Sequence, residues 1–379
     1  MRIFYIYRLI NHFNGAERII VDKANCLVKM FGYDVYMITV DQGNHPINYP
    51  VDNNVHIVDL NIRTHSPYDF KQGWKRWKEK WRVSRLFTCK LHELIDQVSP
   101  DVIICLSDTL TNWVIESHRN VPLIVESHTI FKKNLHWGNG KTPLTGLFYR
   151  WFTLINIRRA DVVVPLTKSD ANYWKYVNNN VEVITNVVRL NPLGRFSDCL
   201  PKHVIFVSRI SYQKGIPYLL KIWESVYDRH PDWHLDIFGE NECDEYYDRL
   251  LSKSACNVHV YEPTVNIYEH YVNSSISILT SLFEPFGLVL PEAMSCGLPV
   301  VSFDSDYGPR EIITDGVDGF LIPLFDVELF VDRICKLIES PELRLRMGRA
   351  GIQSSKRYAP EVVMPKWKDL FERLTDKTD

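Results

Sequence analysis

Short apolar runs alternate along this chain with longer segments in which apolar positions recur at helical spacing. In the first half the runs are RIFYIY (2–7), DVYMITV (34–40), VHIVDL (55–60), DVIICLS (101–107), PLIVESH (122–128) and DVVVPLT (161–167). In the second half they are HVIFVSR (203–209), WHLDIFG (233–239), VHVYE (258–262), ISILTS (276–281) and VVSFD (300–304). Most are continuous rather than alternating, the pattern of parallel strands covered on both faces by helices. Segments of helical length lie between them, among them 15–31, 215–229 and 326–339. The alternation predicts βαβ organisation twice over. The seam falls near VVRLNPLGRFSDCLPK (187–202), where Pro, Gly and polar residues interrupt the pattern. The halves share this architecture but no sequence repeat. Ligands of open α/β sheets sit beyond the carboxyl ends of the strands, so the cleft between two such domains is the expected site.

Length supports the division, since 379 residues exceed the size at which single cores stop growing. A hydrophobic content of 45% is ordinary for a globular protein and excludes disordered or collagen-like classes. Net charge is only −2, yet residues 1–190 hold 24 Lys and Arg against 17 Asp and Glu, while residues 191–379 hold 20 against 29. An electropositive first half suggests that it meets something anionic. The eight cysteines are scattered, with no C-x-x-C, which fits reduced thiols in a cytosolic protein. MRIFYIYRLI reads as a first strand rather than a signal peptide, and no apolar run is long enough to span a bilayer. The expectation is a soluble or at most peripheral protein.

The strongest chemical signal is TSLFEPFGLVLPEAMSCGLPVVSFDSDYGPREIITDGVDGFLIP (280–323). The run ISILTS leads through Pro285 and Gly287 into a helix beginning near Leu288. Glu284 then falls on the loop and Glu292 one or two turns into the helix. A helix N-terminus after a strand offers backbone N–H groups to phosphate, and a carboxylate there can grip sugar or ribose hydroxyls. The second signal is VSRISYQKG (207–215), where a strand delivers Arg209 and Lys214 follows just before Gly215. Two cations at a strand end suit a pyrophosphate. Each signal alone is common; the combination is not.

The E-x7-E of EPFGLVLPE, the R-x4-K of RISYQK and the run AMSCGLPVV resemble the retaining glycosyltransferases of family 4, which have the GT-B fold. NGAER (14–18) is similar to the glycine loop after their first strand, and ESH (126–128) to the motif carrying an active-site histidine. DVVVPLTKSDANYW (161–174) and VEVITNVV (181–188) match the stretch before the interdomain linker. YGPREII with DGVDGFLIP resembles a branch that builds surface polysaccharides, including capsule.

The resemblance implies two Rossmann-like, doubly wound domains facing across a cleft: residues 1–190 binding the acceptor and 191–359 the nucleotide sugar. A last helix, 360–379, carries Trp367, Leu370 and Phe371 as candidates to pack back on the first domain. It implies that Arg209 and Lys214 hold the donor diphosphate and that Glu292 binds the ribose hydroxyls. Glu284, with the backbone of Phe286, Gly287 and Leu288, would hold the sugar. Gly15 would let the first loop approach the phosphates, and His128 would sit beside the transferring sugar. No metal and no other cofactor is expected; cations and helix dipole would stabilise the leaving diphosphate. No residue makes a case for a covalent nucleophile, so the implied course is front-face attack with retention. A UDP-sugar is favoured by subfamily resemblance. Two departures stand out: Asn14-Gly15 replaces the double glycine of many relatives, and Pro285 stands where closer relatives often have Gly.

GWKRWKEKWRVSRLF (73–87) places three tryptophans among six Lys and Arg. On a helix, Trp74, Trp77 and Trp81 fall within about 60° of one another. One reading packs this stripe on the sheet, continued by Phe87, Leu91 and Ile95. The other lays the helix on anionic headgroups, since the acceptor in this family is often lipid-linked. A second basic and aromatic cluster spans 131–152. Nucleic acid would suit such side chains, but no recognised motif is present and no such partner is expected. The expected partners are therefore a nucleotide-sugar donor, a glycan or lipid-linked glycan acceptor and a membrane surface, at the inner face of the cytoplasmic membrane. Rival readings are a nucleotide-sugar epimerase on the same architecture and an inactive sugar-binding or scaffold protein. An NAD oxidoreductase would need a G-x-G-x-x-G after a strand, and the chain has none.

Overall fold

The computed structural model describes residues 1–11, 15–62, 74–107, 110–131 and 144–376, including all side chains but those of 74–77 and 144–150. The chain forms two compact units, Met1–Val187 together with Val363–Asp379, and Val188–Val362. The first unit runs β1 (Arg2–Tyr7), α1 (Gly15–Phe31), β2 (Asp34–Thr39), β3 (His56–Asp59), α2 (Trp74–Val98), β4 (Val102–Leu106), α3 (Thr111–Ser117), β5 (Leu123–Ser127), α4 (Leu144–Ile157), β6 (Val162–Pro165) and α5 (Lys168–Trp174). The second begins β7 (His203–Val207), α6 (Ile216–Arg229), β8 (His234–Phe238), α7 (Asp244–Leu251), β9 (Val258–Tyr261) and α8 (Ile267–Val272). It continues β10 (Ile276–Leu279), α9 (Val289–Ser295), β11 (Val300–Phe303), α10 (Gly308–Ile312), β12 (Gly319–Ile322), α11 (Val327–Glu339) and α12 (Pro341–Ser355). The last helix, α13 (Pro360–Thr375), starts in the second unit and belongs to the first from Val363 onward.

Both sheets are parallel, ordered β3-β2-β1-β4-β5-β6 and β9-β8-β7-β10-β11-β12. Counted within its own unit, each follows the doubly wound order in which the chain reverses direction across the sheet. The reversals fall between β1 and β4 and between β7 and β10. Loops leaving those strands diverge to opposite faces and open a crevice at their carboxyl ends. Everything chemical described below lies on such loops or close to them.

The continuous apolar runs are strands with both faces covered: β4 and β5 are buried along their whole length. Helices bury one stripe, as in α6, where Ile216, Leu219, Leu220, Trp223 and Val226 enter the second core. Helix starts follow capping chemistry. Asp326 accepts from Leu329 N at 3.0 Å ahead of α11, and Ser340 accepts from Leu343 N at 3.2 Å ahead of α12. In the first unit, α13 returns Phe371 to within 6.4 Å of the Tyr33 ring, and Arg373 bonds Glu182 at 2.6 Å.

The tryptophan helix behaves differently from the packed-stripe reading. In α2 the core face is Val83, Phe87, Leu91 and Ile95, four residues apart. Trp81 lies about 160° round the helix from Val83 and is 62% exposed, with the Arg85 guanidinium 4.7 Å from its ring. Phe87, Leu91 and Ile95 thus pack as expected and Trp81 does not. The side chains of Trp74 and Trp77 lie outside the described residues. Helix α3 packs against both α2 and α4, through Thr88–Ser117 and Asn112–Thr153 hydrogen bonds of 2.8 Å each. Trp151 and Phe152 on α4 are also exposed. Of the second basic cluster, 132–143 lie outside the described residues. Among the described residues no helix is long and apolar enough to cross a membrane.

Candidate active site

Strand β7 delivers Arg209 at the crevice, and the chain tightens into a turn at Tyr212–Lys214 before α6. Gly215 ends that turn with φ 71°, and a Cβ there would stand 2.0 Å from the Thr280 carbonyl oxygen. The backbones after β7 and β10 therefore touch, which only glycine allows. Thr280 Oγ1 donates to Lys214 O at 2.8 Å, and Leu282 N donates to Gln213 O at 2.8 Å. These bonds sew together the loops on the two sides of the reversal and aim Lys214 at Glu284. Lys214 Nζ lies 2.6 Å from Glu284 Oε2, and Ser281 Oγ donates to the same oxygen at 3.0 Å. The pair is largely but not wholly covered, with side-chain exposures of 14% for Lys214 and 10% for Glu284.

Beyond Glu284, Phe286 is buried edge-on against Tyr358, Gly287 turns the chain at φ 91°, and Leu288 leads into α9. Glu292 falls in the first turn of α9, as the spacing predicts, and is 2% exposed. The Tyr271 hydroxyl donates to its Oε2 at 3.4 Å. Burial above all, with the nearby Glu292 charge adding to it, pushes the Cys296 thiol up to about 12, so this thiol supplies no thiolate nucleophile at neutral pH. The Arg209 guanidinium pairs with Glu242 on the loop after β8.

In the first unit, Gly15 is the opening residue of α1, after residues 12–14 (with Asn14), which are outside the described set. His128 follows β5 directly. Its Nε2 lies 2.7 Å from Glu126 Oε2, and its side chain is 8% exposed. Sequence reasoning named His128 but gave no role to its carboxylate partner, nor to Ser281, Tyr271 or Gly215. Glu126 carried a usable signal, being a charged residue inside an otherwise apolar strand. Ser281 and Tyr271 carried none, because their roles depend on which loops meet. Among the described residues no group of three or more His, Cys, Asp or Glu side chains is placed to hold a metal ion.

The arrangement is an acidic and basic constellation at the reversal of a parallel sheet, suited to a phosphorylated, polyhydroxylated ligand. Comparison with known proteins agrees on the class. Residues 14–186 match the family model described as glycosyl transferase 4-like domain, and residues 199–354 match glycosyl transferases group 1. Between them the matches take in most of the chain, and the protein belongs to the GT-B glycosyltransferases. It is 29% identical over 363 residues to an uncharacterized glycosyltransferase of Haemophilus influenzae, covering 94% of this chain and 96% of the relative. It is 35% identical over 225 residues to the amylovoran biosynthesis glycosyltransferase AmsD of Erwinia amylovora, covering 56% of this chain and 62% of that one. A mutant of S. aureus TarM, solved with Fondaparinux, alpha-GlcNAc-glycerol and UDP, shares the fold at a TM-score of 0.78 and 16% identity, over 98% of this chain and 99% of that one.

Proposed function

We propose that this glycosyltransferase moves a sugar from a UDP-sugar to a lipid-linked glycan acceptor in polysaccharide biosynthesis, with retention at the anomeric carbon and without a metal ion. The observation that carries the reading is the Lys214–Glu284 pair at the β7/β10 reversal, with Glu292 in the next turn. Lys214 holds one carboxylate in the structure and would exchange it for the donor diphosphate, freeing Glu284 to take sugar hydroxyls. Arg209 would leave Glu242 for the same anion. Both cations then face the charge that grows on the leaving phosphate, where a pre-placed donor is worth ~3–4 kcal/mol. The departing phosphate accepts the acceptor's proton on the face that attack uses. Glu292 takes the ribose hydroxyls, the Phe286–Leu288 backbone supports the sugar, Gly15 admits the phosphates, and His128 stands beside the transferring sugar. The UDP bound to TarM and the amylovoran role named for AmsD support the donor and the pathway class.

The test is slow donor hydrolysis across UDP-, GDP- and ADP-sugars, native against Lys214→Ala, each with and without EDTA. The expected outcome is nucleotide release from a UDP-sugar that EDTA leaves unchanged and the variant loses. Silence across the panel with no nucleotide binding would sink it. Conversion of the free donor to an epimer, read by NMR, would favour the epimerase.

Exposed Trp81, Trp151 and Phe152, with Lys78, Lys80 and Arg82 exposed on α2, support a peripheral membrane contact through 73–87 and 131–152. Such a contact would hold the protein at the inner face of the cytoplasmic membrane. Cosedimentation with anionic but not zwitterionic vesicles, weakened by salt and by Trp81→Ala, is the expected result. Equal recovery with both vesicle types would remove the membrane reading.

A further inference from the structure

The first unit contains a second Lys–Glu pair, and this one is sealed. Glu126, on β5, is 1% exposed, and Lys23, on α1, is 3% exposed; Lys23 Nζ donates to Glu126 Oε1. The other carboxylate oxygen, Oε2, is the one 2.7 Å from His128 Nε2. Two aromatic faces close over the ammonium: the Trp367 ring centroid lies 3.9 Å from Nζ and that of Tyr5 lies 5.4 Å away. Burial alone would raise the Glu126 carboxyl, but Lys23 and then His128 hold it at about 2. Burial lowers Lys23, with Glu126 opposing, and burial followed by the Glu126 charge raises Tyr5 well above its ordinary value.

An ionised carboxylate only accepts hydrogen bonds. His128 Nε2 must therefore carry a proton and donate it to Glu126, which fixes the ring's orientation and leaves Nδ1 for another partner. A carboxylate this deep would be costly without a cation beside it. Lys23 supplies the balancing charge, and α13 supplies its cover.

We propose that Lys23 and Glu126 are positioning residues for His128: Glu126 holds the ring by Nε2 and presents Nδ1 to a hydroxyl of the reacting sugar, while Lys23 keeps that carboxylate charged inside the unit. This rests on the role given to His128 above. The lysine makes the arrangement a three-residue device rather than a simple His–carboxylate contact, and it ties the reacting side of the first unit to α1 and to the last helix.

The experiment compares the native enzyme, Lys23→Met with Glu126→Gln together, and His128→Ala. The readouts are thermal unfolding, UDP binding by titration calorimetry, and the pH dependence of kcat and KM for sugar transfer. The double variant removes both charges at nearly constant volume, so cooperative unfolding and UDP affinity are expected to stay native. Its kcat is expected to fall by about ten- to a hundredfold, the usual effect of removing a group that orients a reacting one, with donor KM unchanged and the pH profile displaced. A native kcat and pH profile in the double variant, with His128→Ala inactive, overturns the positioning role alone. Loss of kcat only in step with lost UDP binding or lost cooperative unfolding also overturns it, showing a merely structural pair. Native kcat in His128→Ala overturns the earlier reading of His128 and this proposal with it.

Discussion

Two lysine–glutamate pairs, one in each unit, look alike on paper and are built for opposite behaviour. Lys214–Glu284 joins two loops at a sheet reversal, keeps 14% and 10% of its side chains in contact with solvent, and takes a further hydrogen bond from Ser281. Lys23–Glu126 joins a helix to the middle of a strand, keeps 3% and 1%, and is roofed by Trp367 and Tyr5. A pair open to solvent can change partners when an anion arrives, because water repays part of the separation. A sealed pair cannot, so what it offers is a fixed direction for whatever the carboxylate's second oxygen holds. On the proposed reading the same two residue types would make a ligand clamp in one unit and a scaffold in the other, with burial setting the difference.

The comparison is most sharply tested by stability. Lys23→Met alone strands a buried carboxylate and is expected to cost about 3–5 kcal/mol in denaturant unfolding. Lys214→Met should cost far less. Equal losses would erase the distinction. Next in size is turnover: Lys214→Ala is expected to lower donor cleavage by about 10²–10³-fold while unfolding stays native. Gly215→Ala follows, at about 1–3 kcal/mol for the backbone conformation alone, and more if the Thr280 carbonyl cannot retreat. Unfolding and donor affinity should fall together there.

A smaller effect separates the pairs by pH. The Glu126 carboxyl lies well below its ordinary value of 4.5 in the folded state, so its stabilisation is full above that value and is lost as pH falls through about 2. The acid limb of the stability curve should therefore flatten in the Lys23→Met, Glu126→Gln double variant. The smallest effect concerns the half-exposed Arg209–Glu242 pair: Glu242→Gln should lower donor KM by no more than about fivefold, since such pairs are worth about 0–1 kcal/mol.

The strands at both reversals were legible because apolar runs covered on both faces leave an unbroken signal, and β1 spans the predicted residues 2–7. β12 escaped: GFLI is short, begins with glycine, and sits in a turn-rich stretch. Its glycine is required because a Cβ at Gly319 would meet the Val300 carbonyl oxygen at 2.4 Å, a fact of strand pairing that no local pattern carries. The second unit's site was readable because its parts follow one another closely in the chain. Glu292 sits one helical turn past its loop, and Lys214 one short turn past its strand. Arg209 was placed on the right loop, but its partner Glu242 is contributed by the loop after the neighbouring β8 and was invisible. The first unit's cluster draws on residues 5, 23, 126, 128 and 367, and nothing in a linear reading brings those together. Trp81 was misread by one option because its stripe and the Val83–Ile95 stripe share a helix but not a face.

The return of α13 has a consequence for the order of events during synthesis. Trp367 emerges from the ribosome only after the whole second unit, so every strand of the first sheet is made while Lys23 still lacks its cover. The first unit is thus the earliest to begin folding and the last to finish. A nascent chain halted between β5 and α13 therefore carries the Lys23–Glu126 pair without its Trp367 cover.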